Sequence, residues 1–139
     1  MLNMEEPYIL KLPSRTDSRG QLVALESKNG LPFDLKRVYY MIGMSPDQPR
    51  GYHAHRKLQQ LAICLAGSCT FIFDDGQNKH QFRLSKPDEG VYIGRYMWHE
   101  MHDISADCIL LVLASEEYSE ADYIRDYSEF LKEVGSREI

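Results

Sequence analysis

Hydrophobic and polar residues alternate along this chain in short runs, and turn-forming residues separate the runs. A period of two is typical of β-strands, whose successive side chains point to opposite faces. Asp75-Gly76 between two apolar runs is typical of a tight hairpin. The pattern predicts strands over residues 8–12, 21–26, 36–41, 51–55, 60–66, 69–73, 79–84, 91–93, 98–104 and 108–114.

Towards the end of the chain, the period of two gives way to the period of a helix. Tyr123, Tyr127, Phe130 and Leu131 recur at helical spacing, and residues 119–122, Ser-Glu-Ala-Asp, resemble a helix start. We therefore expect a helix over about 119–134 that packs this aromatic stripe on the strands. The whole pattern predicts one all-β domain over 1–139, a jelly roll or small β-barrel over about 8–115 with a C-terminal helix.

Composition narrows the classes of function. The formal net charge of −5 argues against nucleic acid as a partner, because nonspecific binding to it needs a basic surface. No apolar run approaches the ~20 residues that span a bilayer, and the N-terminus does not resemble a signal peptide. The cysteines, Cys64, Cys69 and Cys108, are odd in number and lie in apolar runs. We expect buried free thiols and a cytoplasmic protein without a membrane partner.

Residues 50–55, Arg-Gly-Tyr-His-Ala-His, carry the most informative chemistry of the chain. His53 and His55 are two residues apart on a predicted strand, so both imidazoles face one side, with Arg50 nearby. Histidine titrates near neutrality, so such a pair can transfer protons or bind a metal ion. In a barrel that opens at one end, this face predicts a ligand site inside the cavity.

A third histidine, His99, gives the chain a spacing that resembles the cupin barrels. In cupins, His-x-His is commonly followed by a glutamate, then by a glycine, and later by another histidine. Here Gln60 stands in place of the glutamate, and Gly67 follows it. Glutamine is neutral and a poorer metal ligand, although three histidines can still hold zinc. We expect a proton-transfer site without metal or cofactor; a functional metal, and histidines that only fill the barrel, are the alternatives.

Two arginines that precede glycines, Arg19-Gly20 and Arg50-Gly51, suggest a diphosphate site. The planar guanidinium bonds phosphate oxygens in pairs, and glycine allows a close approach. The combination Asp-x-Arg-Gly with Arg-Gly-x-His resembles the nucleotide-sugar 3,5-epimerases, which are also cupins. In those enzymes the arginines hold the diphosphate and the histidine is the base.

The strand predicted over 36–41 brings a tyrosine into the same cavity. Val38, Tyr40 and Ile42 form its more apolar face, which we expect to lie in the core. The opposite face, with Arg37 and Tyr39, would then turn toward the cavity. A phenol in that place can bond a substrate oxygen or shuttle a proton.

Taken together, these motifs resemble the nucleotide-sugar 3,4-ketoisomerases, small cupins that act on dTDP-4-keto-6-deoxyglucose, a dTDP-linked 4-keto-6-deoxyhexose. The resemblance runs from about Asp17 to Tyr127 and rests on residues 17–20, 32–40, 49–55, 63–68, 98–101, 111–115 and 122–125. It implies a metal-independent isomerase and a homodimer with strands exchanged between subunits. It also implies a 3-keto product used to make amino-deoxysugars for surface glycans.

The resemblance also implies roles for single residues. His53 would remove the proton from C3 of the sugar, with His55 as its partner, although the order could be reversed. Tyr39 and His99 would line the sugar ring and stabilise the oxyanion. The substrate-binding candidates are Arg19, Arg50, Arg95 and Glu100, with the arginines on the diphosphate. In a strand-exchanged dimer, Arg19 could come from the partner subunit.

The form of residues 98–100, Trp-His-Glu, is similar to that of relatives that leave the galacto configuration at C4. Two further hypotheses compete with the isomerase. One is a metal-dependent cupin enzyme that uses His53, His55 and His99, which metal content and chelator sensitivity would reveal. The other is a noncatalytic sugar-binding cupin, which would hold the nucleotide sugar without exchanging its C3 proton.

Overall fold

The computed structural model describes residues 5–137 of the chain. Twelve strands, one turn of 3₁₀ helix at Glu120–Asp122 and one α-helix lie in this range. Their bounds are β1 Ile9–Lys11, β2 Ser14–Asp17, β3 Gly20–Val23, β4 Arg37–Met41, β5 Arg50–His55, β6 Gln60–Ala66, β7 Cys69–Asp74, β8 Lys79–Leu84, β9 Glu89–Ile93, β10 Trp98–His102, β11 Ile109–Ala114, β12 Tyr123–Ile124 and α1 Tyr127–Arg137.

Ten of the strands form two antiparallel sheets that pack face to face. One has the order β1-β9-β6-β11-β4 and the other the order β12-β5-β10-β7-β8, while β2 and β3 form a separate hairpin. The predicted fold class, an all-β jelly roll with a C-terminal helix, is confirmed. In residues 5–137 no helix is both long enough and apolar enough to span a bilayer.

The strand β6 reads as an almost unbroken apolar run because protein covers it on both faces. Ala62 points into the core between the two sheets. Leu61 and Ile63 point outward, where Leu31 and Phe33 of the preceding long loop pack on them. Buried strands covered on both sides lose the alternation that marks half-exposed ones.

The helix α1 covers the outer face of the other sheet. Phe130 and Val134 are buried against Ala54, Trp98 and Ile124. The predicted packing of the C-terminal helix on the strands is therefore confirmed, but the position of its start is not.

The helix begins at Tyr127, about eight residues later than the predicted start at 119. Tyr123–Ile124 forms β12 instead, and it pairs antiparallel with the edge of β5. Asp126 accepts hydrogen bonds at Oδ1 from the backbone N–H groups of Ser128 and Glu129, as an N-cap residue does. The aromatic spacing is helical across this region, but pairing with an open sheet edge outweighs it.

The strand β4 exposes to solvent the face that we expected to lie in the core. Val38, Tyr40 and Ile42 are 52%, 65% and 61% exposed in this chain. Tyr39 points inward as expected, but for a different reason: the inner side of β4 borders a cavity, so its polar residues face inward. The expectation that the more apolar face is buried was therefore wrong.

The hairpin of β2 and β3 was also only half predicted. The sequence predicts a strand over 21–26, whereas β3 covers Gly20–Val23 and so shares only residues 21–23 with it. The sequence does not predict the partner strand, Ser14–Asp17. Ser14–Asp17 contains no apolar residue, so it has no hydrophobic alternation to detect.

Candidate active site

A cavity of about 290 Å³ lies between the two sheets. Its wall combines apolar side chains with four kinds of polar group: imidazole, phenol, guanidinium and the amide of Gln60. Such a mixture is typical of sites that bind small molecules. The lining residues are Arg37, Tyr39, Met41, Arg50, Gly51, His53, Gln60, Ala62, Phe71, Ile93, His99, Met101, Leu110, Val112, Tyr118 and Tyr123.

Three imidazoles meet at this cavity, from the neighbouring strands β5 and β10. The ring centroid of His53 lies 4.6 Å from that of His99 and 4.9 Å from that of His55. His53 and His99 line the cavity, whereas His55, with 2% of its surface exposed, lies beside them in the protein interior. The structure therefore brings together all three histidines that the sequence singled out.

Hydrogen bonds to the backbone fix which nitrogen of two rings carries the proton. Nδ1 of His53 is 3.1 Å from the carbonyl oxygen of Gly51, and Nδ1 of His99 is 3.1 Å from that of Met97. A carbonyl only accepts, so each Nδ1 donates its hydrogen. Each neutral ring is left with a lone pair on Nε2, which can accept a proton.

Burial keeps the three rings neutral near pH 7. Loss of solvation lowers the pKa of His53 to about 4, although the hydrogen bond to Gly51 opposes this shift. The pKa of His99 falls to about 3, mainly by burial and then by the nearby His53. The pKa of His55 falls to about 2 by burial and by the other two imidazoles. All three are therefore proton acceptors rather than fixed positive charges.

A backbone irregularity aims β5 at the site. Gly51 and Tyr52 have φ values of +94° and +62°, opposite a register shift between His99 and Glu100. Such a bulge redirects the side chains of a strand. A Cβ atom on Gly51 would lie 2.9 Å from the carbonyl oxygen of His99, so glycine is required there. The Arg-Gly-x-His motif thus has a structural reason for its glycine.

Tyr39 is held in place by the glutamine that replaces the cupin glutamate. Nε2 of Gln60 donates a hydrogen bond to Oη of Tyr39 over 2.5 Å. Burial raises the pKa of Tyr39 to about 12, so the phenol keeps its proton. Since Oη accepts from Gln60, its own hydrogen can be donated into the cavity.

Two arginines line the cavity, and only one of them was assigned a role from its sequence motif. Arg50 lies on the wall as predicted. The guanidinium carbon of Arg37 lies 5.1 Å from the ring centre of Tyr39 and 5.7 Å from that of Tyr118. Nε of Arg37 is buried with no hydrogen-bond partner among the described residues. In the sequence, the location of Arg37 in the cavity was indicated only by its position on the same strand face as Tyr39.

The segment around β12 adds a wall that the sequence missed. The ring of Tyr123 is 4.3 Å from that of His55 and 5.1 Å from that of His53, centroid to centroid. Oδ2 of Asp122 lies 3.9 Å from Nδ1 of His55. The guanidinium of Arg125 stacks on Tyr123 at 4.1 Å. Residues 122–125 belong to the segments on which the resemblance rests, but they were assigned no role in the site because a helix was expected there.

Three predicted binding residues lie outside the cavity in this chain. Arg19, on the β2–β3 turn, has a side chain 89% exposed and pairs with Asp17 at 2.7 Å. Nε of Arg95 donates to Glu5 at 2.8 Å. The carboxylate of Glu100 accepts hydrogen bonds from the indole and the imidazole two residues to either side, at 3.0 and 2.8 Å.

The histidine set fits a metal ion in geometry but not in charge. One ring nitrogen from each of His53, His55 and His99 lies within 4.8 Å of the others, close enough for one ion. The neighbouring cupin position offers only the neutral amide of Gln60, which is engaged with Tyr39. The site could therefore take zinc through three imidazoles, without a carboxylate ligand.

Comparison with known proteins gives concordant matches over most of the chain. Residues 5–135 match the family described as FdtA: WxcM-like, C-terminal. The TDP-4-oxo-6-deoxy-alpha-D-glucose-3,4-oxoisomerase of Aneurinibacillus thermoaerophilus is 47% identical over 129 residues, 93% of each protein.

Solved structures agree with this match. The WlaRB TDP-quinovose 3,4-ketoisomerase of Campylobacter jejuni is 47% identical, with a TM-score of 0.88 over 93% of this chain and 99% of that one. A histidine-to-asparagine mutant of the 3,4-ketoisomerase QdtA of Thermoanaerobacterium thermosaccharolyticum, in complex with TDP-4-keto-6-deoxyglucose, is 41% identical. Its TM-score is 0.92 over 99% of this chain and 98% of that one.

Proposed function

Because this chain belongs to the FdtA family, we propose that it is a 3,4-ketoisomerase of TDP-sugars that converts TDP-4-keto-6-deoxyglucose into a 3-keto-6-deoxyhexose. The relatives named above carry the same reaction in their names, and one was crystallised with this sugar nucleotide. The observation that carries the proposal is the group of neutral imidazoles at the cavity, each poised to accept a proton.

The reaction needs a base beside the sugar and a second group that moves protons. A ketone at C4 acidifies the hydrogen on C3, and removing it gives an enediolate. Protonation at C4, with transfer of a proton from O3 to O4, leaves the ketone at C3. No electrons leave the substrate, so the chemistry consists of proton transfers alone.

We assign the C3 proton to Nε2 of His53, which lines the cavity and carries a lone pair. Its Nδ1–H is anchored on Gly51, so the ring stays oriented while it is charged. His55, at 4.9 Å, is assigned as its partner in returning protons to the sugar. An imidazole whose pKa is low in the free enzyme gives its proton back readily, as a reversible isomerisation needs.

Tyr39 and His99 are assigned to the oxyanion of the enediolate. The phenol of Tyr39 is protonated, and Gln60 leaves its hydrogen free to point at a substrate oxygen. A donor held in place before charge develops stabilises the charged intermediate more than it does the ketone. Nε2 of His99, which lines the same cavity, first accepts the hydroxyl proton and then donates a hydrogen bond to the oxyanion as an imidazolium.

The diphosphate is assigned to Arg50, and Arg37 adds a second guanidinium on the cavity wall. Arg19, which pairs with Asp17 on an exposed hairpin, does not line this cavity within its own chain. We propose a homodimer in which the β2–β3 hairpin crosses to the other subunit and brings Arg19 to its site. The exposed apolar face of β4, which ends one sheet, supports such an interface. Arg95 and Glu100 are retained as outer candidates.

The proposal includes the galacto configuration at C4, on the form of residues 98–100, Trp-His-Glu. The Campylobacter relative is named for quinovose, a gluco sugar, so that name favours the opposite outcome. Protonation of C4 from opposite faces produces the two configurations. A cytoplasmic site of action is part of the same proposal, since the three cysteines are free thiols.

Proton NMR in deuterated buffer tests the function directly. Chelator-treated protein is mixed with TDP-4-keto-6-deoxyglucose, and the products are reduced and assigned. We expect a 3-keto sugar with deuterium at C4, and the coupling constants then give galacto or gluco. Binding without conversion or C3 exchange would instead support the noncatalytic sugar-binding cupin.

One observation supports a second candidate, a metal-dependent cupin. The three imidazole nitrogens lie within 4.8 Å of each other and could hold an ion. That hypothesis requires conversion or exchange to be lost on chelation and restored by added zinc. If the chelator-treated protein is fully active and no metal ion is bound to its histidines, the metal-dependent hypothesis is excluded.

A further inference from the structure

The three cysteines form a second cluster of metal-ligating side chains, and the proposed reaction makes no use of it. Cys64, Cys69 and Cys108 are buried free thiols whose sulfur atoms all lie within 4.8 Å of one another. The sulfurs of Cys64 and Cys108 are 3.6 Å apart.

The cluster lies further along the barrel interior than the histidines. Each cysteine is two residues along the chain from a residue that lines the cavity: Ala62 for Cys64, Phe71 for Cys69 and Leu110 for Cys108. The thiols belong to the same buried core as these residues. They therefore form a set separate from the imidazoles, and no side chain is shared between the two.

We propose that Cys64, Cys69 and Cys108 bind one soft metal ion, of the Zn²⁺, Cd²⁺ or Cu⁺ class, through their three sulfurs. A Zn–S bond of about 2.3 Å places sulfurs that share one ion about 3.8 to 4.0 Å apart, for tetrahedral or trigonal angles. The observed separations, 3.6 Å for one pair and at most 4.8 Å for the others, bracket that range. The site is therefore nearly preformed.

The donor type decides which ions are held. Thiolates prefer soft cations, whereas Mg²⁺, Ca²⁺ and Mn²⁺ prefer oxygen. Three thiolates around a divalent ion carry a single net negative charge. Arg83 anchors the strand that carries Cys69, because its guanidinium donates to the hydroxyls of Ser68 and Thr70 over 2.6 and 2.8 Å.

A short path connects the cluster to solvent. Ala106 and Asp107, which precede Cys108, are exposed. The turn at Gly67, with φ of +69°, covers the cluster, and a Cβ there would lie 2.9 Å from Cα of Cys108. Opening of this one turn admits an ion without unfolding of the sheets, since turns open at lower cost than core strands.

Titration with Cd²⁺ alone tests the site. The full chain is purified under reducing conditions, stripped with chelator, and followed by the thiolate-to-metal charge-transfer band in the ultraviolet. We expect one equivalent to saturate the band. Cys64→Ala and Cys108→Ala should each weaken the binding by at least about tenfold. His99→Gln should leave the band in place, because imidazole ligands do not produce it.

The ¹¹³Cd NMR shift of the wild-type protein distinguishes sulfur from nitrogen ligands. This measurement needs no variant, so the site can be tested even if the cysteine variants do not fold. A wild-type protein without a charge-transfer band, a nitrogen-type shift, or an unchanged Cd²⁺ affinity in Cys108→Ala would each overturn the proposal. None of these readouts involves turnover, so their outcome does not depend on whether the protein is a ketoisomerase. Metal found after purification would then lie on the cysteines and would not indicate a metal-dependent cupin.

Discussion

The side-chain amide of Gln60 donates a 2.5 Å hydrogen bond to the phenol oxygen of Tyr39. The position at which the cupin pattern expects a metal-binding carboxylate is thereby occupied by a group that orients a proton donor. One residue thus separates two chemistries: a neutral amide serves proton transfer, and a carboxylate would serve a metal.

Gln60→Glu should shift the site from the first chemistry toward the second. The new carboxylate completes a set of three imidazoles and one acid, so we expect tighter Zn²⁺ binding than in the wild type. Ketoisomerase kcat should fall by about tenfold or more, because the carboxylate accepts the hydrogen of Tyr39. Calorimetric titration with Zn²⁺ and the NMR assay measure the two effects.

Gln59→Glu is the matched control, because Gln59 accepts a hydrogen bond from Tyr92 and does not line the cavity. It adds the same charge one residue away. Equal zinc affinity in the two variants would show that a carboxylate at position 60 does not join the three histidines as a zinc ligand.

His55→Asn should abolish turnover while nucleotide binding stays within about twofold. Removal of a proton-transfer group lowers kcat by about 10²- to 10⁴-fold. The diphosphate-binding arginines are untouched, so the Kd for TDP should hold. His80→Asn, on β8 outside the cavity, controls for the loss of any histidine. Most of the activity remaining in His55→Asn would remove His55 from the mechanism.

Arg50→Ala should act on binding rather than on chemistry. Hydrogen bonds to a charged group contribute about 1.5–3 kcal/mol, so KM and the Kd for TDP should rise about 10- to 100-fold. Arg83→Ala is the matched variant, since Arg83 is engaged with Thr70 and Ser68 outside the cavity. Unchanged TDP affinity in Arg50→Ala, or an equal loss in both variants, would contradict the diphosphate assignment.

Acid should destabilise the protein through its buried imidazoles. The pKa values of His53, His99 and His55, at about 4, 3 and 2, lie below the ordinary 6.5. Below pH 6.5 the unfolded chain therefore binds more protons than the folded one, so the free energy of unfolding decreases as the pH is lowered. Above pH 6.5 the contribution is complete; it is lost progressively as the pH falls toward the folded pKa values.

Urea unfolding between pH 7.5 and 5 measures this effect, at about 1.4 kcal/mol per pH unit for each imidazole once the pH is well below 6.5. In His99→Gln the pH dependence should be shallower by up to that amount. An identical slope in the two proteins would contradict neutral burial of His99. For the same reason, kcat/KM should show no inflection at pH 6.5.

Tyr40→Lys should weaken the proposed dimer. Tyr40 is 65% exposed in the single chain, on the apolar outer face of the edge strand β4. A charge buried in an interface is costly, so the variant should shift toward monomer in light scattering after size exclusion. Leu131→Lys, at an exposed apolar position of α1, is the control. A monomeric wild type, or an unchanged dimer, would refute this interface.

The sequence could predict those parts of the molecule that depend on local periodicity. The strands β6 and β8 have the predicted bounds, and His53, His55 and His99 converge because strands keep i and i+2 on one side. It could not predict that Val38 and Tyr40 are exposed in the single chain. Periodicity identifies two faces of a strand, and only the surroundings decide which of them is covered.

Pairing between distant segments was beyond the reach of the sequence for the same reason. Tyr123 has helical spacing with Phe130, yet it lies in a strand because the edge of β5 is available to it. Arg37 was visible as a neighbour of Tyr39, but its part in the cavity follows from its stacking on Tyr118, 81 residues away in the chain.

The late strand β12 also sets when the site can first exist. The last long strand of the barrel ends at Ala114, but the ring that packs on His53 and His55 belongs to Tyr123. A ribosome releases the N-terminal part of a chain first. A nascent chain can therefore pair its long strands while the histidine pair still lacks this wall, and the site is complete only once β12 has been translated.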